Sequence, residues 1–210
     1  MLNRVTLPVT AFAQNCSLVW CSATLKAALI DPGGETQRLL AEIERRGLQL
    51  ESILLTHGHL DHVGATGELL AIKNVPVIGP SREDAFWIEG LAQQAQMFGF
   101  APVPAFTPDR WLTGGDTVTV GNEVMDVYFC PGHTPGHVVF VHQAQRLAFV
   151  GDVLFNGGVG RSDFPQGDHA QLIHCIKHTL LPLGDDITFV PGHGPESTFG
   201  HERLHNPYLR

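Results

Sequence analysis

The segment Thr56-His57-Gly58-His59-Leu60-Asp61-His62 places three imidazoles and one carboxylate within six consecutive positions. Imidazole and carboxylate together suit borderline divalent metal ions. Four such groups exceed what one tetrahedral catalytic ion takes, because that ion keeps a position open for water. The surplus points to two ions, provided the chain supplies more ligands. Three later positions offer them. They are His133 in Pro131-Gly132-His133-Thr134-Pro135-Gly136-His137, Asp152 in Val150-Gly151-Asp152, and His193 in Pro191-Gly192-His193-Gly194. His57 and His59 alone could equally be a surface pair or a structural hydrogen bond. Asp61, His62 and three further Gly-flanked positions argue against coincidence.

Each cluster follows a strand-like run: Ile53–Leu55, Val124–Phe129, Leu147–Val150 and Ile187–Val190. Strand ends fix side chains better than free loops do. In an extended loop His57 and His59 share a face and can chelate one ion, while Asp61 and His62 lie past a turn and could reach a second. Leu60 is expected to turn inward as packing. Further strands are expected over Val5–Phe12, Cys16–Cys21, Lys26–Asp31, Val75–Ile78, Thr117–Val120 and His137–His142. Helical spacing marks Glu35–Arg46, closed by Gly47, and then His62–Ile72, Glu83–Phe98 and Asp168–Leu181. The first histidine cluster thus sits in a strand–loop–helix–strand unit, at the carboxyl end of its first strand, where ligand sites of α/β sheets gather. Candidate ligands lie in both halves of the chain, so dividing it would divide the site. One domain is expected over residues 1–210.

With 43% hydrophobic and 16% charged residues the chain has the composition of a soluble protein. The formal net charge of −8 argues against a nucleic-acid partner, which needs a basic surface. It leaves room for a small anionic substrate. No apolar run is long enough to span a membrane, and Pro8 interrupts the amino terminus, so no secretory signal is expected. Cys16, Cys21, Cys130 and Cys175 form no C-x-x-C pair. Reduced thiols and a cytoplasmic location are expected by default, with Cys130 a buried, inert thiol.

These residues resemble the metallo-β-lactamase superfamily of metallohydrolases, whose signature is H-x-H-x-D-H followed by distant His, Asp and His. The likeness covers nearly the whole chain and implies a four-layer αβ/βα sandwich, with two mixed sheets flanked by helices. It also implies that His57, His59 and His133 hold one ion, that Asp61, His62 and His193 hold the other, and that Asp152 bridges them. The ions would be divalent, zinc foremost, with iron and manganese as alternatives. Within the superfamily the chain is similar to glyoxalase II, the hydroxyacylglutathione hydrolase, in its compact bacterial form. The strings that carry this are Gln14-Asn15-Cys16, Asp31-Pro32-Gly33-Gly34, Gly132-His133-Thr134-Pro135-Gly136-His137, Gly160-Arg161-Ser162-Asp163-Phe164 and the tail from Thr198 to Pro207. With 17 residues after His193, the sequence is expected to lack the carboxy-terminal helical domain whose basic residues grip glutathione in full-length glyoxalase II.

The expected reaction is hydrolysis of a small thioester such as lactoylglutathione. Paired ions can activate water and polarise a carbonyl, with Asp61 or Asp152 orienting the attacking group. The departing thiolate, with a pKa of roughly 8.5, needs no strong general acid. Arg161 is the candidate for a substrate carboxylate, against a plain ion pair with Asp163. His137 is expected to support the ligands rather than to join them, and Asn15 has either that role or a turn role. Phe12, Phe155 and Phe164 could line a pocket or pack in the core. His142, His169, His174, His178, His201 and His205 fit no ligand pattern. Two rivals stand: another metallohydrolase of small esters or lactones, and a persulfide dioxygenase. In the dioxygenase a single iron would be held only by His57, His59 and neighbours of Asp152, notably His133. A β-lactamase, a nuclease and a non-enzymatic metal module fit less well.

Overall fold

Neighbouring residues on the central strands belong to different apolar clusters. Leu18 faces one cluster and Val19 another; Val139 and Val141 face a third, while Val138 and Phe140 join Val19. A strand buried on both faces cannot show polar alternation, so these strands read as continuous apolar runs. Three clusters are what four stacked layers require, one at each interface.

The computed structural model describes residues 1–210. The first sheet contains β1 (Leu2–Val9), β2 (Gln14–Cys21), β3 (Lys26–Ile30), β4 (Gln49–Leu54) and β5 (Val77–Ile78), in that spatial order. β1–β3 are antiparallel, and β3, β4 and β5 run parallel. Helix α1 (Thr36–Arg45) joins β3 to β4, as its Leu39, Leu40 and Ile43 spacing predicts, and buries Leu39 and Ile43. Two short helices, α2 (Leu60–Val63) and α3 (Thr66–Ile72), replace the single helix expected over His62–Ile72. They part where the Ala65 N–H donates to the Pro32 carbonyl (3.0 Å) rather than along a helix. The Glu83–Phe98 pattern likewise splits at Gly90, into α4 (Ala85–Glu89) and α5 (Leu91–Phe98), after a 3₁₀ turn at Arg82–Asp84.

The second sheet is built from β6 (Thr117–Val120), β7 (Glu123–Phe129), β8 (Val138–His142) and β9 (Leu147–Gly151). A small hairpin of β10 (Leu154–Phe155) and β11 (Gly158–Val159) follows, then α6 (His169–Cys175), β12 (Thr188–Pro191), β13 (Ser197–Thr198) and α7 (Phe199–His205). Its order is β13-β12-β9-β8-β7-β6, with β9 and β12 parallel. The helix expected over Asp168–Leu181 keeps its α geometry only to Cys175 and then widens into a π turn over Ile176–Leu180.

Cluster one packs the first sheet on α1, α3, α4 and α5; cluster two packs the second sheet on α6, the following turns and α7. Leu2, Ile30, Leu54, Met125, Phe140, Phe149 and Val190 fill the space between the sheets. The architecture is the expected four-layer αβ/βα sandwich. The sheets meet at the end where Gln14 bridges His193 and the Asn15 N–H donates to the Gly192 carbonyl at 2.7 Å.

Candidate metal centre

Parallel pairs in each sheet place carboxyl ends at one edge. β3 and β4 deliver Asp31 and the Thr56–His62 segment; β9 and β12 deliver Asp152 and the Gly192–Gly194 loop. The loop after β7 supplies His133. All seven expected ligands converge there. Ligand atoms of His57, His59 and His133 lie within 4.8 Å of one another, as do those of Asp61, His62 and His193. His133 Nε2 is 3.0 Å from His59 Nδ1, and Asp61 Oδ2 is 3.1 Å from His193 Nε2. Asp152 stands between the two triads. Its Oδ1 is 3.2 Å from His62 Nε2, and its Oδ2 is 3.6 Å from His133 Nε2 and 3.7 Å from His193 Nε2.

The far nitrogen of four rings is fixed by an oxygen that can only accept, which sets the tautomer. His62 Nδ1 donates to Asp31 Oδ2 (2.9 Å), His133 Nδ1 to the Arg161 carbonyl (2.6 Å) and His193 Nδ1 to the Phe12 carbonyl (3.1 Å). Thr56 Oγ1 spends its proton on Asp31 Oδ2 (2.6 Å), so it accepts from His57 Nδ1 (3.0 Å). In the neutral form of each ring Nε2 is therefore the atom left with a lone pair facing the centre. His57 Nε2, His62 Nε2 and Asp152 Oδ1 are buried and have no hydrogen-bond partner. Such atoms cost about 1–3 kcal/mol each unless something compensates them. A Cβ on Gly192 would stand 2.0 Å from Asp152 Oδ1 and 2.6 Å from His62 Cε1, so the space at the bridge is closed to any side chain. Lone pairs of nitrogen and carboxylate oxygen around such a space fit divalent cations.

A sequence model of the metallo-beta-lactamase superfamily matches residues 9–193. The chain belongs to that superfamily. It is 48% identical over 209 residues to the hydroxyacylglutathione hydrolase GloC of Haemophilus influenzae, covering 99% of this chain and 98% of that protein. TTHA1623, solved in a di-iron-bound form, is 37% identical with a TM-score of 0.89, over 98% of this chain and 100% of that one. The B3 metallo-beta-lactamase BLEG-1 is 32% identical with a TM-score of 0.89, over 100% and 99% of the two chains. The protein is a metallohydrolase of this superfamily, and no helix in it is long and apolar enough to cross a membrane.

The electrostatics of the superfamily site divide between its triads. Burial, with neighbouring imidazoles, pushes His57 well below the ordinary imidazole value, and burial also takes His59 to about 3 and lowers His133. These rings stay neutral, the form in which histidine binds metal. Burial opposes charge on His62 and His193 too, yet Asp152 and Asp61 outweigh it and hold both above the usual range. Asp61 and Asp152 are themselves kept ionised, against burial, chiefly by His62. The carboxylates draw positive charge to this half of the centre.

Other expected residues divide more unevenly. His137 stacks on His57 (4.6 Å) and its Nε2 accepts from the Asp152 backbone N–H (3.1 Å), so it supports two ligands. Asn15 Nδ2 donates to the Pro191 and Gly194 carbonyls (3.0 and 2.9 Å) and braces the His193 loop. Arg161 pairs with Asp163 (2.9 Å) in solvent, and its guanidinium lies 4.5 Å above the Phe164 ring, which in turn meets His59 at 4.8 Å. Leu60 is buried, all four cysteines are free and buried, and burial raises Cys130 far above an ordinary thiol.

Sequence reasoning gave no role to Asp31, Thr56, Asp84 or Gln94. Asp31 carried a usable signal: like the ligands it follows an apolar strand, Lys26–Ile30. It forms a geometric triad with His57 and His62. Its oxygens, however, are taken by the Thr56 N–H (2.7 Å), Thr56 Oγ1 and His62 Nδ1, which makes it an anchor. Trp87, among the apolar residues of the 83–98 pattern that fit either a cleft cover or core packing, meets His59 edge-on at 4.5 Å.

Proposed function

We propose that this metallohydrolase cleaves the thioester of an S-(2-hydroxyacyl)glutathione such as lactoylglutathione, using two divalent ions. His57, His59 and His133 would hold one, Asp61, His62 and His193 the other, with Asp152 placed to serve both. The observation that carries the reading is Asp152 standing between two triads, within 3.7 Å of His62, His133 and His193. The GloC relative, at 48% identity over nearly both full lengths, supports the substrate class; the di-iron form of TTHA1623 supports two ions. Zinc is the first candidate, because its N/O preferences match this donor set.

Ions held there would lower the pKa of water and polarise the substrate carbonyl. The chain's own residues then set the geometry. Asp61 and Asp152, both held ionised, would orient the attacking group by accepting its hydrogen bond. Trp87 and Phe164, both in edge contact with His59, wall one side and limit water there. No residue is asked to protonate the leaving thiolate, whose pKa is about 8.5 if it resembles a free thiol. Arg161 stands at the rim, and a substrate carboxylate would compete with Asp163 for it. A reducing cytoplasm suits a thiol-releasing enzyme whose own thiols are all free.

The test is purification, elemental analysis, and release of glutathione from lactoylglutathione. Two ions per chain and steady thiol release are expected. One iron per chain, with oxygen consumed on glutathione persulfide and no thioester cleavage, would replace the proposal with the dioxygenase. Cleavage of β-lactams without thioester cleavage would move it toward the activity named for BLEG-1.

A further inference from the structure

Asp84 is fully buried on the 3₁₀ turn before α4, outside both triads. Its Oδ2 accepts from the Gly58 N–H (2.9 Å) and from Thr134 Oγ1 (2.8 Å); its Oδ1 accepts from the Gly136 N–H (2.6 Å). Gly58 lies between His57 and His59, Thr134 follows His133, and Gly136 precedes His137. One carboxylate thus holds the ligand loop of the first sheet to the ligand loop of the second. The loops come from distant parts of the chain, and every bond runs to a residue adjoining a first-triad ligand or its support. A return bond, from the Ser81 N–H to the Gly136 carbonyl (3.0 Å), closes the clamp. The fit leaves no slack: a Cβ on Gly136 would stand 2.5 Å from the Asp84 nitrogen and 2.8 Å from its Oδ1.

Asp84 has no cationic partner and meets only neutral donors. Burial pushes its carboxyl up to about 6, against the pull of those hydrogen bonds. A buried carboxylate without a counter-ion is costly, and an apolar residue would serve simple packing better. Gln94 continues the same cradle. Its Oε1 accepts from the Leu60 N–H (2.9 Å) and its Nε2 donates to the Trp87 carbonyl (2.7 Å).

We propose that Asp84 is a positioning residue that sets the His57/His59/His133 triad by clamping its two loops together, and so fixes the affinity of that triad for its ion and not that of the other triad. Asp61, His62 and His193 receive no bond from Asp84; Asp31 and the Phe12 carbonyl orient that side instead. The inference rests on the metal reading of the triads but not on the substrate, so it can fail while thioester hydrolysis stands.

The test is zinc(II) affinity, by chelator competition at pH 7, in single-ion backgrounds. With His193→Ala to disable the second triad, Asp84→Asn should weaken the remaining zinc roughly 10–100-fold, the range for outer partners of metal ligands. The amide cannot accept from all three donors: one of its atoms would face them as an N–H. With His133→Ala to disable the first triad, Asp84→Asn should leave zinc affinity within about twofold. Thr134→Val, which deletes one bond without altering charge, should give a smaller loss in the same background and serves if Asp84→Asn does not fold. Gly136→Ala should reproduce the selective loss by forcing the clamp open. Phe199→Leu, in the outer helix layer, controls for stability: it should lower Tm without moving either affinity. Equal weakening in both backgrounds, or none in the first, would overturn the proposal.

Discussion

Asp31→Asn tests how the second triad is tuned. The wild-type carboxylate accepts three hydrogen bonds, from the Thr56 N–H (2.7 Å), Thr56 Oγ1 (2.6 Å) and His62 Nδ1 (2.9 Å). Asparagine has the same shape but only one accepting atom. If that oxygen keeps the backbone N–H, the new NH₂ faces Thr56 Oγ1 and His62 Nδ1. The hydroxyl can rotate, but the imidazole must shift its proton to Nε2, the atom that faces Asp152 at 3.2 Å. The lone pair that would bind the ion then carries a hydrogen. The same Thr56 hydroxyl accepts from His57 Nδ1, so its rotation disturbs the first triad as well, more weakly.

Losing an outer carboxylate of this kind costs about 10–100-fold in metal affinity, or about 1.4–2.7 kcal/mol. The assay is zinc competition at pH 7 in the His133→Ala background, followed by thermal unfolding of the metal-free protein. We expect affinity to fall within that range and the metal-free Tm to fall less than for Asp31→Ala, which removes the acceptor of all three buried donors. Wild-type affinity in Asp31→Asn would refute the tautomer argument, since the other side chain at His62 Nδ1, the Gln14 amide at 3.3 Å, presents its NH₂ there.

Three further outcomes follow from the same geometry. His59→Ala removes one of three first-triad ligands and should abolish most thiol release; elemental analysis should show the loss of one ion, and unchanged turnover would remove the metal mechanism. Arg161→Ala should raise KM for an anionic thioester more than it lowers kcat, with little change in Tm because the side chain is 69% exposed; an unaltered KM would discard that contact. The metal-free protein should lose stability as pH falls below 6.5. Burial holds His57, His59, His133 and His137 low, so between pH 6.5 and their folded values the unfolded chain binds more protons. Each such proton costs about 1.4 kcal/mol per pH unit. His62 and His193, held high, contribute fully in that window and lose their contribution only as pH rises. Asp84, raised to about 6, opposes the trend, as do His62 and His193 above pH 6.5. Tm measured between pH 7 and pH 5 checks this; a rise on acidification would contradict it.

What could be read from the sequence was whatever is local. β6, at Thr117–Val120, falls where alternation puts it, and α1 lies within one residue of each expected end. The ligands were legible because each cluster follows an apolar strand and contains glycine, a pattern confined to a few residues. Helices over His62–Ile72 and Glu83–Phe98 were overdrawn for a reason local patterning cannot supply. Ala65 gives its N–H to Pro32, and the Gly58 and Leu60 N–H groups are taken by Asp84 and Gln94. The short strands β10, β11 and β13 were missed because two residues have no period to detect.

The unread residues share a character that explains why they went unread. Asp31 and Asp84 are buried carboxylates that grip backbone N–H groups, and a backbone partner leaves no trace in the sequence. Metal ligands must be histidine or aspartate, so the alphabet betrays them; a loop clamp needs only an acceptor at the right depth, and many residue types could be imagined there. The two anchors take different work. Asp31 sets the tautomer of one ring, whereas Asp84 sets the distance between two loops. That division predicts that Asp31→Asn and Asp84→Asn nearly add when combined, because they share no partner and act mainly on opposite triads, with only the weak Thr56–His57 link in common. Coupling of more than about 1 kcal/mol between them in zinc binding would mean that the centre is built as a single unit, and that neither carboxylate has a triad of its own.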